Sequence, residues 1–132
     1  MTPEQTDLAR RLVACPSFRW MPGMLHGEAD IEEGGLCHFE RCVEGDRPSG
    51  GRFPVLADDA TLGCLLALVR KAYRCAVITS PDYDEDEETG GQGPNIIGWR
   101  CVETRTWNTI GCGATEAEAL VNALLTLSET TP

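Results

Sequence analysis

Apolar residues recur at helical spacing in three stretches of the chain, with shorter strand-like runs between them. In the first, Thr2-Pro3-Glu4-Gln5 supplies a capping threonine, a proline at the first helical position and a glutamine three residues beyond the cap. Leu8, Leu12 and Val13 then form one apolar face, and Pro16 ends the helix because the residue before a proline avoids helical geometry. In the second, Asp58 or Asp59 caps a helix whose Leu62, Leu65, Leu66 and Val69 follow the i, i+3, i+4, i+7 pattern. Arg70, Lys71 and Arg74 sit at its C-terminal end, where cations complement the helix dipole. Nearly every position from Leu62 to Val69 is apolar or small, which predicts a central helix buried on more than one side. In the third, Thr115 and Glu118 form a capping box, Ala117, Leu120, Val121 and Leu124 point inward, and residues 128–132 are expected to fray.

Between the helices, Phe18 to Leu25 reads as a strand interrupted by Pro22-Gly23, and Leu36 to Val43 as its hairpin partner across the acidic Glu28-to-Glu33 connection. Gly45 to Pro54 is rich in glycine and proline and reads as a surface loop. Cys75 to Thr79 and Ile96 to Thr104 read as a second hairpin around the acidic, glycine-rich tract Asp82 to Gly93, expected to be a long mobile loop. Trp107 to Gly111 supplies a third strand. The predicted order is α-ββ-α-βββ-α. This is an α+β fold, with three helices packed on an antiparallel sheet of about four to five strands, in one domain over residues 1–127.

Charge narrows the possible partners. With 21 acidic residues against 11 basic and a net charge of −10, the chain repels phosphate backbones and anionic membrane surfaces. Direct nucleic-acid binding is not expected, and no apolar run approaches the ~20 residues of a membrane span. The acids gather in two clusters, Glu28, Asp30, Glu32 and Glu33, then Asp82, Asp84, Glu85, Asp86 and Glu87. Such clusters suit docking on a protein with a basic surface; the plainer reading is a solvated face that keeps the chain soluble. Seven cysteines with no export signal ahead of them point to thiols in the reducing cytoplasm.

Of the candidate chemistry, Cys37, His38 and Cys42, with His26 as a fourth ligand, come nearest to a metal site. The paired knuckles of structural zinc are missing, and on a regular strand adjacent Cys37 and His38 point to opposite faces, so no metal is expected. Asp82, Asp84 and Asp86 imitate the start of a calcium loop, but Glu87 stands where that loop needs glycine. Gly90-Gly91-Gln92-Gly93 lacks the lysine and hydroxyl of a phosphate loop. No cofactor motif is present. Cys64, Cys75, Cys101 and Cys112 read as small core residues, not nucleophiles. Arg19 and Trp20, with Trp99, Arg100 and Trp107, pair guanidinium groups with flat rings, as a site for a nucleotide second messenger would; filling the core is the ordinary use of such tryptophans.

Three stretches resemble a group of small phage and prophage proteins: Arg19-Trp20-Met21-Pro22-Gly23-Met24, the helix from Asp58 to Arg70, and Gly113 to Val121. The last is also similar to the strand-to-helix ending of HicB-like antitoxins. The resemblance implies a phage accessory protein that counters bacterial immunity by binding, with no catalytic residue to carry over. Expected partners are therefore a host defence protein with a basic surface or, as the alternative, a nucleotide-derived immune signal held by Arg19, Trp20, Trp99, Arg100 and Trp107. No enzyme is expected.

Overall fold

A computed structural model describes residues 2–30, 35–48 and 50–130, with side chains as far as residue 127. Three helices and six strands run in the order α1 (Pro3–Val13), β1 (Leu25–Ala29), β2 (Leu36–Arg41), β3 (Arg52–Pro54), α2 (Asp59–Tyr73), β4 (Val77–Glu85), β5 (Gln92–Glu103), β6 (Thr109–Gly113) and α3 (Glu116–Thr130). The fold is α+β with antiparallel pairing throughout, as the sequence leads one to expect. The strands divide between two three-stranded sheets, β2-β1-β3 and β4-β5-β6, where one sheet was anticipated.

Each helix begins at the cap that its sequence encodes. Thr2 and Gln5 bond reciprocally at α1. At α2 the Asp58 carboxylate accepts from the Thr61 amide at 2.9 Å and from the Thr61 hydroxyl at 2.9 Å, which fills donors that the first helical turn leaves without partners. Thr115 and Glu118 form the capping box ahead of α3, with bonds of 2.8 and 3.2 Å.

The strand expected over Phe18 to Leu25 is replaced by turns, and β1 starts only at Leu25. Met21-Pro22-Gly23-Met24 closes on itself through the Met24 amide and the Met21 carbonyl, with Gly23 at φ +96°. Proline second and a left-handed glycine third are what a type II turn demands, so regular strand starts only at Leu25, although the Gly23 amide still donates to the Cys42 carbonyl at 2.9 Å and the Met24 carbonyl accepts from the Cys42 amide at 2.8 Å. Three residues of the Gly45-to-Pro54 loop, Arg52–Pro54, pair with the free edge of β1 as β3. The tract from Asp82 to Gly93 departs most from expectation: β4 runs on to Glu85 and β5 begins at Gln92, leaving a short tip between them.

The central element is α3, not α2. It carries fully buried Ala119, Leu120, Val121, Ala123 and Leu124 and lies against β4, β5, β6, α1 and α2. Its small residues let it approach β6 so closely that a Cβ on Gly111 would lie 2.3 Å from the Ala119 carbonyl oxygen and 2.6 Å from the Ala123 amide nitrogen. Two further ties hold the helices: the Tyr73 hydroxyl donates to the Ala123 carbonyl at 2.7 Å, and the Cys15 thiol to the Leu124 carbonyl at 3.7 Å.

Helix α2 buries a single stripe, Thr61, Leu65, Leu68 and Val69, and turns Gly63, Ala67 and Arg70 to solvent. The expectation of burial on several sides fails because the small residues Gly63 and Ala67 face outward. Gly63 has open space where a Cβ would be. Gly63→Ala is therefore expected to raise stability by about 1 kcal/mol through reduced backbone entropy in the unfolded chain. A urea titration should show a higher midpoint at unchanged slope.

Candidate functional site

Beyond Trp99, β5 loses its second neighbour. It pairs with β6 only over Trp99 to Val102, whereas its pairing with β4 continues through Pro81↔Trp99, Asp82↔Gly98 and Tyr83↔Ile96 to Glu85↔Gln92. Residues 82–98 thus form a two-stranded arm that outruns the sheet. Pro81 sits in β4 without disturbing the ladder because β4 is an edge strand, whose outward amides need no partner.

Cross-strand polar contacts hold the arm in shape. Asp82 forms an ion pair with Arg100 through both Nε and Nη2. Asp84 accepts from the Asn95 amide at 3.1 Å and from its side chain at 2.9 Å. At the tip the Asp86 amide donates to the Gly91 carbonyl at 2.7 Å, and the Asp86 carboxylate accepts from the Glu88 amide at 3.0 Å. Three of the predicted acids are therefore part of the scaffold. Glu85 and Glu87, together with Glu88, are exposed and have no cationic partner among the described residues.

Apolar side chains stand among these carboxylates. Ile97 is 67% exposed, Ile96 51% and Tyr83 38%. The register shifts between Asp82 and Tyr83, so that Ile97 is the extra residue of a bulge and has no partner across the strands. Among the described residues, the arm thus combines negative charge that has no ion-pair partner with the exposed aliphatic side chains of two successive residues, Ile96 and Ile97.

The first acidic cluster is different in kind. Glu28 is engaged on both oxygens, with Arg52 at 3.1 Å and with His38 at 3.3 Å. The Asp30 amide donates to the Gly35 carbonyl at 2.8 Å. Glu32 and Glu33 lie outside the described residues.

The arginines and tryptophans proposed for a nucleotide ligand are split between two places. Arg19 and Trp20 line a cleft of about 440 Å³ with Phe18, Asp46 and Arg47. There the Arg19 guanidinium donates to the Pro16 and Phe18 carbonyls, and Trp20 packs edge-on against Phe18 at 5.1 Å and His26 at 5.5 Å. Arg100 lines a separate hollow on the arm beside Asp82. Trp99 packs partly buried against the core, and Trp107, at φ +62° in the turn before β6, is 67% exposed. The strand starts two residues later than its sequence suggests, at Thr109, so Trp107 precedes it.

None of the seven cysteines, all of them among the described residues, is in a disulfide. Cys15, Cys42 and Cys101 are buried, and burial pushes the Cys101 thiol up to about 11. The thiols of Cys42 and Cys64 are also raised, chiefly by burial. Such thiols stay protonated and are poor nucleophiles. Cys112 is exposed and so is not the core residue its strand position suggests. Cys42 is enclosed in the core, and His26 is buried with its Nδ1 accepting from Arg52 Nε at 2.7 Å. Burial first, then the Arg52 charge, lowers the pKa of His26 and keeps the ring neutral.

Among the described residues no helix is long and apolar enough to cross a membrane. The chain matches no protein-family model, no curated protein and no solved structure.

Proposed function

We propose that this protein is a non-enzymatic binding protein that docks on a basic protein surface through the β4–β5 arm, and that its partner is a component of bacterial immunity countered during phage infection. The observation that carries the docking role is the placement of Ile96, Ile97 and Tyr83, exposed on an arm that also bears the unpaired Glu85, Glu87 and Glu88. Unpaired carboxylates steer a cationic partner and raise the association rate, while the desolvated aliphatic and aromatic surface supplies most of the affinity. The phage setting rests on the resemblance carried by Arg19 to Met24, Asp58 to Arg70 and Gly113 to Val121.

The alternative, a nucleotide second messenger held by arginine and tryptophan, draws less support. Arg19 and Trp20 line one cleft and Arg100 another, and each guanidinium already donates to protein oxygens.

The test is expression of the chain in bacteria that carry single defence systems, with plaque formation as readout. Relief of one system is expected. It should be lost with Glu85→Lys, Glu87→Lys and Glu88→Lys together, which spare the scaffold contacts of Asp82, Asp84 and Asp86, and lost again with Ile97→Asp. With the partner in hand, the triple reversal should slow association by about 10- to 100-fold and flatten its salt dependence. Relief that survives both variants would overturn the arm as the docking surface. No relief of any system would overturn the counter-immunity reading.

A further inference from the structure

The strand rule that separates Cys37 from His38 does not apply where they stand. His26 pairs with Glu40 and Glu28 with Cys37, so His38 and Phe39 together oppose the single residue Gly27. This is a β-bulge, and its first residue, His38, takes the left-handed conformation at φ +52°. Histidine is among the few residue types enriched there. Gly27 makes room for the distortion: a Cβ on it would lie 3.0 Å from the Cys37 carbonyl oxygen and 3.0 Å from the Phe39 ring.

The bulge swings the His38 ring to the side of Cys37 and Glu28. The Cys37 Sγ, one His38 ring nitrogen and one Glu28 carboxylate oxygen all lie within 4.8 Å of one another. The Sγ to His38 Nδ1 separation is 3.6 Å, and His38 Nδ1 to Glu28 Oε2 is 3.3 Å. For a tetrahedral zinc with ordinary bond lengths, the sulfur–nitrogen edge is about 3.6 Å and the nitrogen–oxygen edge about 3.4 Å. The observed spacings match both edges.

Two chemistries use a cysteine, a histidine and a carboxylate together. In a nucleophilic triad the histidine relays a proton, so one ring nitrogen faces the thiol and the other faces the acid. Here Sγ and Oε2 both converge on Nδ1. Three donors that converge on one point suit a shared ion and not a relay. The geometry points to a site for a borderline-soft divalent ion of the zinc class, held by Cys37 Sγ, His38 Nδ1 and Glu28 Oε2.

Arg52 supports this arrangement from behind. Its Nη1 holds Glu28 Oε1 at 3.1 Å, which leaves Oε2 toward the histidine, and its Nη2 donates to the His38 carbonyl. Hydrogen bonds of this kind orient metal ligands. A thiolate and a carboxylate also offset the double charge of the ion, and the sulfur–nitrogen–oxygen donor set disfavours calcium and magnesium, which take oxygen ligands.

The test is titration of untagged, chelator-treated full chain with cobalt(II), followed by competition with zinc(II). Tetrahedral ligand-field bands and a thiolate-to-cobalt charge-transfer band should grow to a single equivalent and vanish when zinc is added. Cys37→Ser should abolish the charge-transfer band. Glu28→Gln and His38→Asn, the latter chosen because asparagine tolerates the left-handed backbone, should each weaken binding by more than about 100-fold, beyond what loss of an outer hydrogen-bond partner does. Cys112→Ser, at an exposed thiol on the other sheet, should leave the spectrum unchanged. Absence of the bands in the parent chain would overturn the proposal whatever the variants do. So would a charge-transfer band that survives Cys37→Ser, or one lost with Cys112→Ser.

Discussion

Replacing Gly111 by alanine should destabilise the protein by about 3 kcal/mol, the upper part of the usual range for overpacking a core. The added methyl would meet the Ala119 carbonyl oxygen at 2.3 Å, the Ala123 amide nitrogen at 2.6 Å and the Ala123 Cα at 3.0 Å. All three are backbone atoms, so no rotamer change relieves the contact, and α3 must move away from β6 as a whole. That motion would open the layer in which Leu120, Val121 and Leu124 are fully buried. Urea unfolding of Gly111→Ala beside Gly63→Ala makes the check sharp, since the same chemical change is expected to have opposite signs at the two glycines. Equal midpoints for parent and Gly111→Ala would show that α3 does not sit on β6 as described.

Asp58→Ala is expected to cost about 2 to 3 kcal/mol at neutral pH, from a lost helix cap and a lost ion pair together. Asp58 joins three elements. It caps α2 through Thr61 and takes a two-pronged contact from Arg41 at 3.0 and 3.1 Å. Arg41 at the end of β2 also donates to the Gly23 carbonyl at 2.7 Å, and Thr61 receives the Leu25 amide at 2.9 Å. The Arg41 guanidinium, followed by the Thr61 donors, holds the Asp58 carboxyl down at about 2 against an ordinary 3.8. The Asp58 side chain is 16% exposed but its partner Arg41 is 47% exposed, so solvent screens the pair in part.

The sign of the pH effect follows from that lowered pKa. The folded state binds the Asp58 proton more weakly than the unfolded state, so its contribution is fully present above about pH 4 and is lost as pH falls through about 2. The shift sets an upper bound of about 2 kcal/mol, which screening at the exposed Arg41 reduces. Denaturation midpoints followed down this acid limb should fall more steeply for the parent chain than for Asp58→Ala. Parallel limbs would remove Asp58 from the acid response.

The helices were legible in the sequence because their caps are local chemistry. Thr2 with Gln5, Asp58 with Thr61, and Thr115 with Glu118 lie within one turn of each other and need no tertiary context. Which helix takes the centre was not legible. The apolar density of Leu62 to Val69 outweighed the alanines of α3, whose value lies in how closely they let β6 approach, a property of the pair and not of either segment. The strands were harder for the same reason. The three residues of β3 are too few for any periodicity, and the carboxylates of β4 hid a strand because their partners Arg100 and Asn95 come from across the hairpin.

The candidate sites divide in the same way. Acidity at Asp82 to Glu87 could be read directly, but not the sorting into scaffold acids and unpaired ones, which depends on register. Adjacency of Cys37 and His38 argued against a shared ligand under the period-two rule. The bulge that reverses that conclusion is fixed by pairing with Gly27. A histidine that tolerates the left-handed region, opposite a glycine, was the one trace of it in the sequence.

The arm has a second consequence, for the behaviour of the protein at high concentration. Past Trp99 both of its strands are edges, with open backbone donors and acceptors and with Ile96 and Ile97 alongside, the combination from which strands of separate copies assemble. Glu85, Glu87 and Glu88 then serve as gatekeepers: identical arms approaching edge to edge would stack like charge against like charge, while a cationic partner meets the reverse. The same carboxylates would admit one class of surface and keep the arm from becoming the seed of an aggregate.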